Sequence, residues 1–187
     1  MSPAQRLNRI SPLDPVKATG RIKQILDDMQ AKLGVVPTLF RVLANAQTAL
    51  EAYVKFNAAL ADGTFDAKVR EQIGLTVAES NLSGYCLSAH VFIGGKIGLT
   101  KEEITDAARA TSANAKTDAI LKLARSIIVR RAEISDSDLD SARNAGLTDG
   151  EIVETVANVV LNIFMNYLDH VARTVVDFPP VSSGTTR

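Results

Sequence analysis

The chain has one cysteine, no tryptophan and two histidines among its 187 residues. A single cysteine excludes an intrachain disulfide framework and a cysteine-rich zinc site. An excess of charge is missing as well, because 21 Lys and Arg balance 21 Asp and Glu. Without a basic face there is little to hold a phosphate backbone, so nucleic acid is not an expected partner. No apolar run approaches the ~18 residues of a membrane span. The segment Met1 to Pro15 lacks the apolar core and small-residue cleavage pattern of a secretory signal. The expectation is a soluble cytoplasmic protein. What is present is a 46% apolar composition, and a chain of this size buries roughly 70% of its unfolded surface.

Apolar residues recur with a period of 3.6, and no alternating strand pattern stands out. The fold class is therefore all-α. The expected helices run from about Lys17 to Leu33, Thr38 to Ala46, Ala49 to Ala61, Asp66 to Ser80 and Ser83 to Ile97. Gly34 and Gly63 stand where helices stop, and Val36-Pro37 breaks the chain. Further on, Lys116 to Ala132 turns Ile120, Leu121, Leu123, Ala124, Ile127 and Ile128 inward, with Arg125, Arg130 and Arg131 left in solvent. A small helix around Asp138 to Ala145 precedes a long one from Asp149 to about Val175. The organisation is an N-terminal extension (1–16), one helical domain (17–178) and a flexible tail (179–187).

Two helix starts share their wording. Gly98-Leu99-Thr100 with Glu103 is echoed by Gly146-Leu147-Thr148 with Glu151. In each, Thr caps the helix while Glu three residues on reaches back to it, a capping box. Independent helix starts explain the echo; a diverged duplication is the alternative. The last helix is apolar on nearly every side, which predicts burial. Asn158, Asn162, Asn166 and His170 run along it as one narrow polar stripe. Each buried amide needs a partner, since an unsatisfied one costs ~1–3 kcal/mol. The stripe either bonds neighbouring helices or a second subunit, or it lines a polar cavity.

Ser83-Gly84-Tyr85-Cys86-Leu87-Ser88-Ala89-His90 is the most informative stretch. Cys86 and His90 are four apart and share a helix face. With Ser83 as N-cap, Cys86 falls in the first turn, where the helix end and an imidazole both favour the thiolate. The alternatives are a cysteine that is simply a small core residue and, less readily, a metal site with Glu71 as third ligand. Tyr85 reads as a packing aromatic.

The surrounding residues resemble the alkylhydroperoxidase AhpD-like, or carboxymuconolactone decarboxylase-like, family. That family's motif is Glu, eleven residues, then Cys-x-x-Cys-x-x-x-His. Here Glu71 is followed by Gln72 to Leu82, then Ser83, Cys86 and His90 at matching spacings. The Tyr-Cys-x-x-Ala-His wording is similar to the peroxidase-related branch. Gly34-Val35-Val36-Pro37, Arg70-Glu71-Gln72, Asp169-His170-Val171-Ala172 and Asp177-Phe178-Pro179 extend the likeness over roughly residues 17 to 180.

The resemblance implies Glu71, Ser83, Cys86 and His90 as catalytic positions, with no cofactor and no metal. Cys86 would be the peroxidatic cysteine, attacking a hydroperoxide substrate, while His90 and Glu71 relay protons. Ser83 stands where the family has its resolving cysteine, so reduction needs an external thiol or dithiol, or Cys86 of another subunit. The family also implies a homo-oligomer, trimer or hexamer. Two other readings stand beside the peroxidase. One is a carboxymuconolactone decarboxylase-like lyase or hydrolase using His90 and Glu71 without redox chemistry. The other is a non-catalytic helical oligomer. His170 is a further candidate for the pocket.

Overall fold

The computed structural model describes residues 8–179 and Val181; the first seven residues of the extension, and Pro180 and 182–187 of the tail, lie outside them. Among the described residues the structure is all-α, with nine α-helices and no strand. They are α1 (Gly20–Leu33), α2 (Thr38–Leu43), α3 (Gln47–Ala61), α4 (Ala67–Ser80), α5 (Gly84–Lys96), α6 (Lys101–Ala108), α7 (Ala115–Val129), α8 (Asp136–Asn144) and α9 (Asp149–Ala172). No helix among the described residues is long and apolar enough to cross a membrane.

The helix boundaries follow from their caps. Asp66 accepts from the Val69 amide, and Ser83 from the Cys86 amide. Both expected capping boxes form, at Thr100–Glu103 and at Thr148–Glu151. Each follows a glycine with positive φ (Gly98 87°, Gly146 91°) and a buried leucine, so local physics accounts for the echoed wording. A third box, Ser135–Asp138, starts α8 two residues before the expected Asp138, which is the N3 position and not the first residue. Helix α9 stops at Ala172, short of the expected Val175, because Arg173 takes a left-handed conformation with φ 50°.

Helix α4 is the centre of the molecule. Its residues Gln72 to Ala78 are all buried, and it packs against α5, α6, α7 and α9. A helix embedded this way must present small or well-paired side chains on every side. Thr76 meets that demand by donating to the carbonyls of Gln72 and Ala107. Arg70 reaches back to the carbonyls of Leu60, Ala61 and Phe65, closing the C-terminus of α3.

The two ends of the described chain meet across α9. The Arg9 amide donates to the Ala172 carbonyl, and the Val175 amide to Asn8 Oδ1. Asp177 accepts from the Thr38 amide at the start of α2, and Phe178 packs edge-on against Tyr85. Tyr85 is the packing aromatic expected, and its hydroxyl also accepts from the Leu39 amide.

The expectation that α9 is buried all round is corrected here. Its asparagines face inward, and its opposite side is open: Val153 is 67% exposed, Tyr167 58% and Val171 60%. Val160 and Phe164 continue that stripe. A sequence apolar on all sides does not say which side a neighbour covers; here the polar side is the one that the core takes.

Candidate active site

The α4–α5 connection is short and tightly determined. Leu82 adopts φ 56°, and the Ser83 amide donates to the Ala78 carbonyl, folding α5 back against α4. Ser83 is 1% exposed and its Oγ has two partners. It accepts from the Cys86 amide at 3.3 Å and donates to Asp169 Oδ2 of α9 at 2.7 Å. Cys86 follows in the first turn, 4% exposed.

The thiol is not the activated group that its position at the helix start predicts. Burial pushes its pKa up to about 11. The Asp169 carboxylate adds to the rise, and contacts with Ser83 and Asn166 only partly offset it. Burial and one nearby carboxylate outweigh the helix end. The Asn166 amide is poised for a negative sulfur even so: its Nδ2 is buried without a hydrogen-bond partner, while its effect on Cys86 favours the thiolate.

One turn along α5, His90 pairs with α4. Its Nδ1 lies 2.7 Å from Glu71 Oε2, and since a carboxylate only accepts, Nδ1 carries the proton. Both side chains are partly buried, His90 18% and Glu71 20% exposed. The imidazole lies directly on the backbone of Gly74, where a Cβ would collide with Cε1, Nδ1 and Nε2. Burial opposes protonation of His90, but the charge and hydrogen bond of Glu71, helped by Asn162, hold its pKa above the ordinary value. Glu71 thus orients His90, in line with the role that the family resemblance implies for it.

The asparagine stripe divides its work. Asn158 and Asn162 donate to the carbonyls of Glu154 and Asn158 on their own helix. Asn162 also acts on His90, and Asn166 accepts from Asn81 Nδ2. His170 is exposed at the rim, its Nε2 2.7 Å from the Asn81 carbonyl. The stripe bonds to the protein on one side and lines the site on the other.

Two participants escape the sequence reading. Asp169 sits in a wording quoted only for its likeness, and its link to Ser83 spans the chain. Tyr53 of α3 stacks between Phe40 and Phe164. Its phenol is raised above its usual range by burial and by charge on Cys86 and Glu71. The apolar face of α3 carries it, but nothing in that face marks it as polar machinery. Among the described residues, no group of three His, Cys, Asp or Glu side chains is arranged to hold a metal ion.

This all-α arrangement is the AhpD-like fold. Residues 47–127, from α3 through most of α7, match the model of the carboxymuconolactone decarboxylase family, and Glu71, Ser83, Cys86 and His90 all lie inside that span. The resemblance read from the motif is therefore shown over this segment. The chain is similar to a peroxidase-related protein with an alkylhydroperoxidase AhpD core from Ralstonia eutropha JMP134, with TM-score 0.80, 22% identity, and 93% of this chain and 94% of that one covered. A peroxidase-related protein from Silicibacter sp. TM1040 gives TM-score 0.78 at 20% identity, covering 92% and 94%. A cysteine-to-alanine variant of the debrominase Bmp8, in complex with 2,3,4-tribromopyrrole, gives 0.78 at 16%, covering 90% and 91%. At these identities the likeness establishes the fold. None of the curated proteins matches the chain.

Two measurements check the electrostatics. The two histidines give two separable imidazole signals in a proton NMR titration. Glu71→Gln is expected to lower the His90 pKa; an unmoved His90 signal would overturn the assignment. The sign extends to stability. A folded pKa above the unfolded one contributes fully below the unfolded value and is lost as pH rises through the folded one, and Glu71→Gln removes that decline. Separately, the rate of Cys86 alkylation by iodoacetamide should climb about tenfold per pH unit through pH ~10, with no earlier plateau. Asp169→Asn should move the curve to lower pH. A plateau below pH ~8 in the unaltered protein would contradict the raised thiol.

Proposed function

We propose that the chain is a thiol-dependent, alkylhydroperoxidase-like antioxidant enzyme with Cys86 as its peroxidatic residue. The observation that carries this reading is one buried thiol with polar partners on one side and an oriented Glu71–His90 pair one turn away. The thiol loses its proton to His90 as the hydroperoxide binds. The sulfur then forms a bond to the terminal peroxide oxygen while the O–O bond breaks. The departing alkoxide takes that proton from His90 and leaves as an alcohol. Cys86 becomes a sulfenic acid, oxidised by two electrons, and the unpaired Nδ2 of Asn166 is placed to donate to its oxygen. An external thiol then condenses with it, releasing water, and a second thiol frees Cys86 as the reductant forms a disulfide.

Ser83 limits this cycle. A hydroxyl cannot form the internal disulfide, so reduction depends on the external thiol or dithiol, or on Cys86 of another subunit. One observation favours the acid–base alternative: a thiol at about 11 is almost wholly protonated at neutral pH, while His90 and Glu71 remain competent. A lyase or hydrolase of the carboxymuconolactone decarboxylase type would keep its activity in Cys86→Ala; the peroxidase would lose it.

The exposed stripe of α9 is the face on which copies of the chain pack. No charged residue falls between Thr155 and Leu168, and a continuous apolar strip of this kind marks an interaction surface. The trimer or hexamer that the family resemblance implies would cover it.

Dimedone should label Cys86 after peroxide treatment, read by mass spectrometry; no label at any dose would sink the peroxidatic assignment. Ser83→Cys should raise dithiol-supported turnover by about tenfold or more, and unchanged turnover would show that this position does not resolve. In sedimentation velocity the protein should run well above its 20.0 kDa monomer mass. Val160→Glu combined with Tyr167→Lys should return it to that mass. A monomeric unaltered protein would remove the assembly proposal.

A further inference from the structure

At the start of α5, lined by Leu82, Gly84 and Asp169, lies an open groove of about 1000 Å³. Its floor is the first turn of α5 (Gly84 and Tyr85), and its walls come from the end of α9 and the segment after it. The groove differs from the rest of the surface in two respects.

First, it gathers cations. Arg9 and Arg173 line it, and among the described residues neither guanidinium has an ion-pair partner. The single carboxylate present, Asp169, already accepts from Ser83 Oγ, and two arginines against one aspartate leave a net positive charge. The Arg9–Ala172 and Asn8–Val175 hydrogen bonds tie the arginine-bearing N-terminal segment to the end of α9. The positive end of α5, thirteen residues long, points to the same place. Thr174 lines the groove, is 8% exposed, and keeps a buried Oγ1 that has no hydrogen-bond partner.

Second, the groove has an apolar wall. Leu82, Val175 and Val176 are all large, hydrophobic, exposed and part of its lining. Cations alone would suit any anion. Cations facing an apolar wall suit an anion with a hydrocarbon body.

We propose that this groove binds a small amphipathic carboxylate, its head on Arg9 and Arg173 and its alkyl or aryl body against Leu82, Val175 and Val176. Asp169 lines the groove and accepts from Ser83, whose Oγ accepts in turn from the Cys86 amide, so the site would steer a carboxylate-bearing substrate toward the thiol. That last role rests on the peroxidase reading; the binding itself does not.

Binding is measured on the full chain by titrating decanoate while following the amide NMR signals of Gly84, Thr174 and Val176. Decanoate should saturate, with decanol and inorganic phosphate each weaker by about tenfold or more, since one lacks the charge and the other the apolar body. Arg173→Gln should cost a similar factor and Arg173→Lys should recover most of it, with unchanged far-ultraviolet circular dichroism showing that both variants fold. Phosphate binding as tightly as decanoate, decanol binding as tightly, no saturation, or indifference to Arg173→Gln would each overturn the proposal. Repeating the titration in Cys86→Ala separates the two claims: binding retained there while dimedone labelling of the unaltered protein fails would leave the carboxylate site standing and remove only the peroxidase.

Discussion

The seating of α5 on α4 governs everything around the site. Gly74 has no side chain, and the His90 ring occupies the space a Cβ would need. That close approach brings Nδ1 to the Glu71 carboxylate and sets the rotation of α5. Once the rotation is set, Cys86 one turn earlier cannot share the partners of His90. It turns instead toward α9, where Ser83, Asn166 and Asp169 surround it. His90 is thus held chiefly by α4, with Asn162 of α9 assisting, while Cys86 is surrounded from the α9 side.

Asp169 shows how stability and reactivity pull against each other here. A buried carboxylate is costly unless well bonded. The hydroxyl of Ser83 satisfies it at 2.7 Å, and the same Oγ caps α5. A thiol at position 83 would be a weaker donor to that carboxylate. The serine therefore secures the junction between α5 and α9 more firmly than cysteine would, while the carboxylate it holds adds to the rise that burial imposes on the Cys86 thiol. The Ser83 hydroxyl itself pulls the other way and lowers the thiol pKa, so the two partners of one hydrogen bond act on the sulfur in opposite directions.

Much of this was legible because it is local. The caps at Asp66, Ser83, Thr100 and Thr148 and the period of α4 and α7 all depend on residues within a few turns of one another, while the Glu71–His90 pair, on two helices, was reached through the family resemblance. What escaped is long-range. The thiol pKa is dominated by burial, to which Asp169, 83 positions further along the sequence, adds, and the helix-start argument had no access to either. The orientation of α9 escaped for a different reason. With apolar residues on nearly every side, periodicity cannot choose the inward face, and the choice falls to the asparagines because α5 offers them polar partners. The groove escaped because it needs Arg9 beside Arg173, a pairing made only when the two chain ends are tied across α9.

The fold does not by itself decide the chemistry, since similar backbones include peroxidase-related proteins and a debrominase. The decision lies in where one proton rests. With the thiol at about 11 and the imidazole above its usual value, the resting site holds a neutral sulfur and a readily protonated base. Nucleophilic attack requires that proton to leave the sulfur at the moment a substrate oxygen can use it. A bound carboxylate beside Ser83 would add another negative charge near Cys86 and raise the thiol further, whereas a developing alkoxide near His90 would draw the proton the other way. A substrate whose charged head sits in the groove and whose reactive end reaches His90 would therefore suppress the idle thiolate and favour ionisation only along the reaction path.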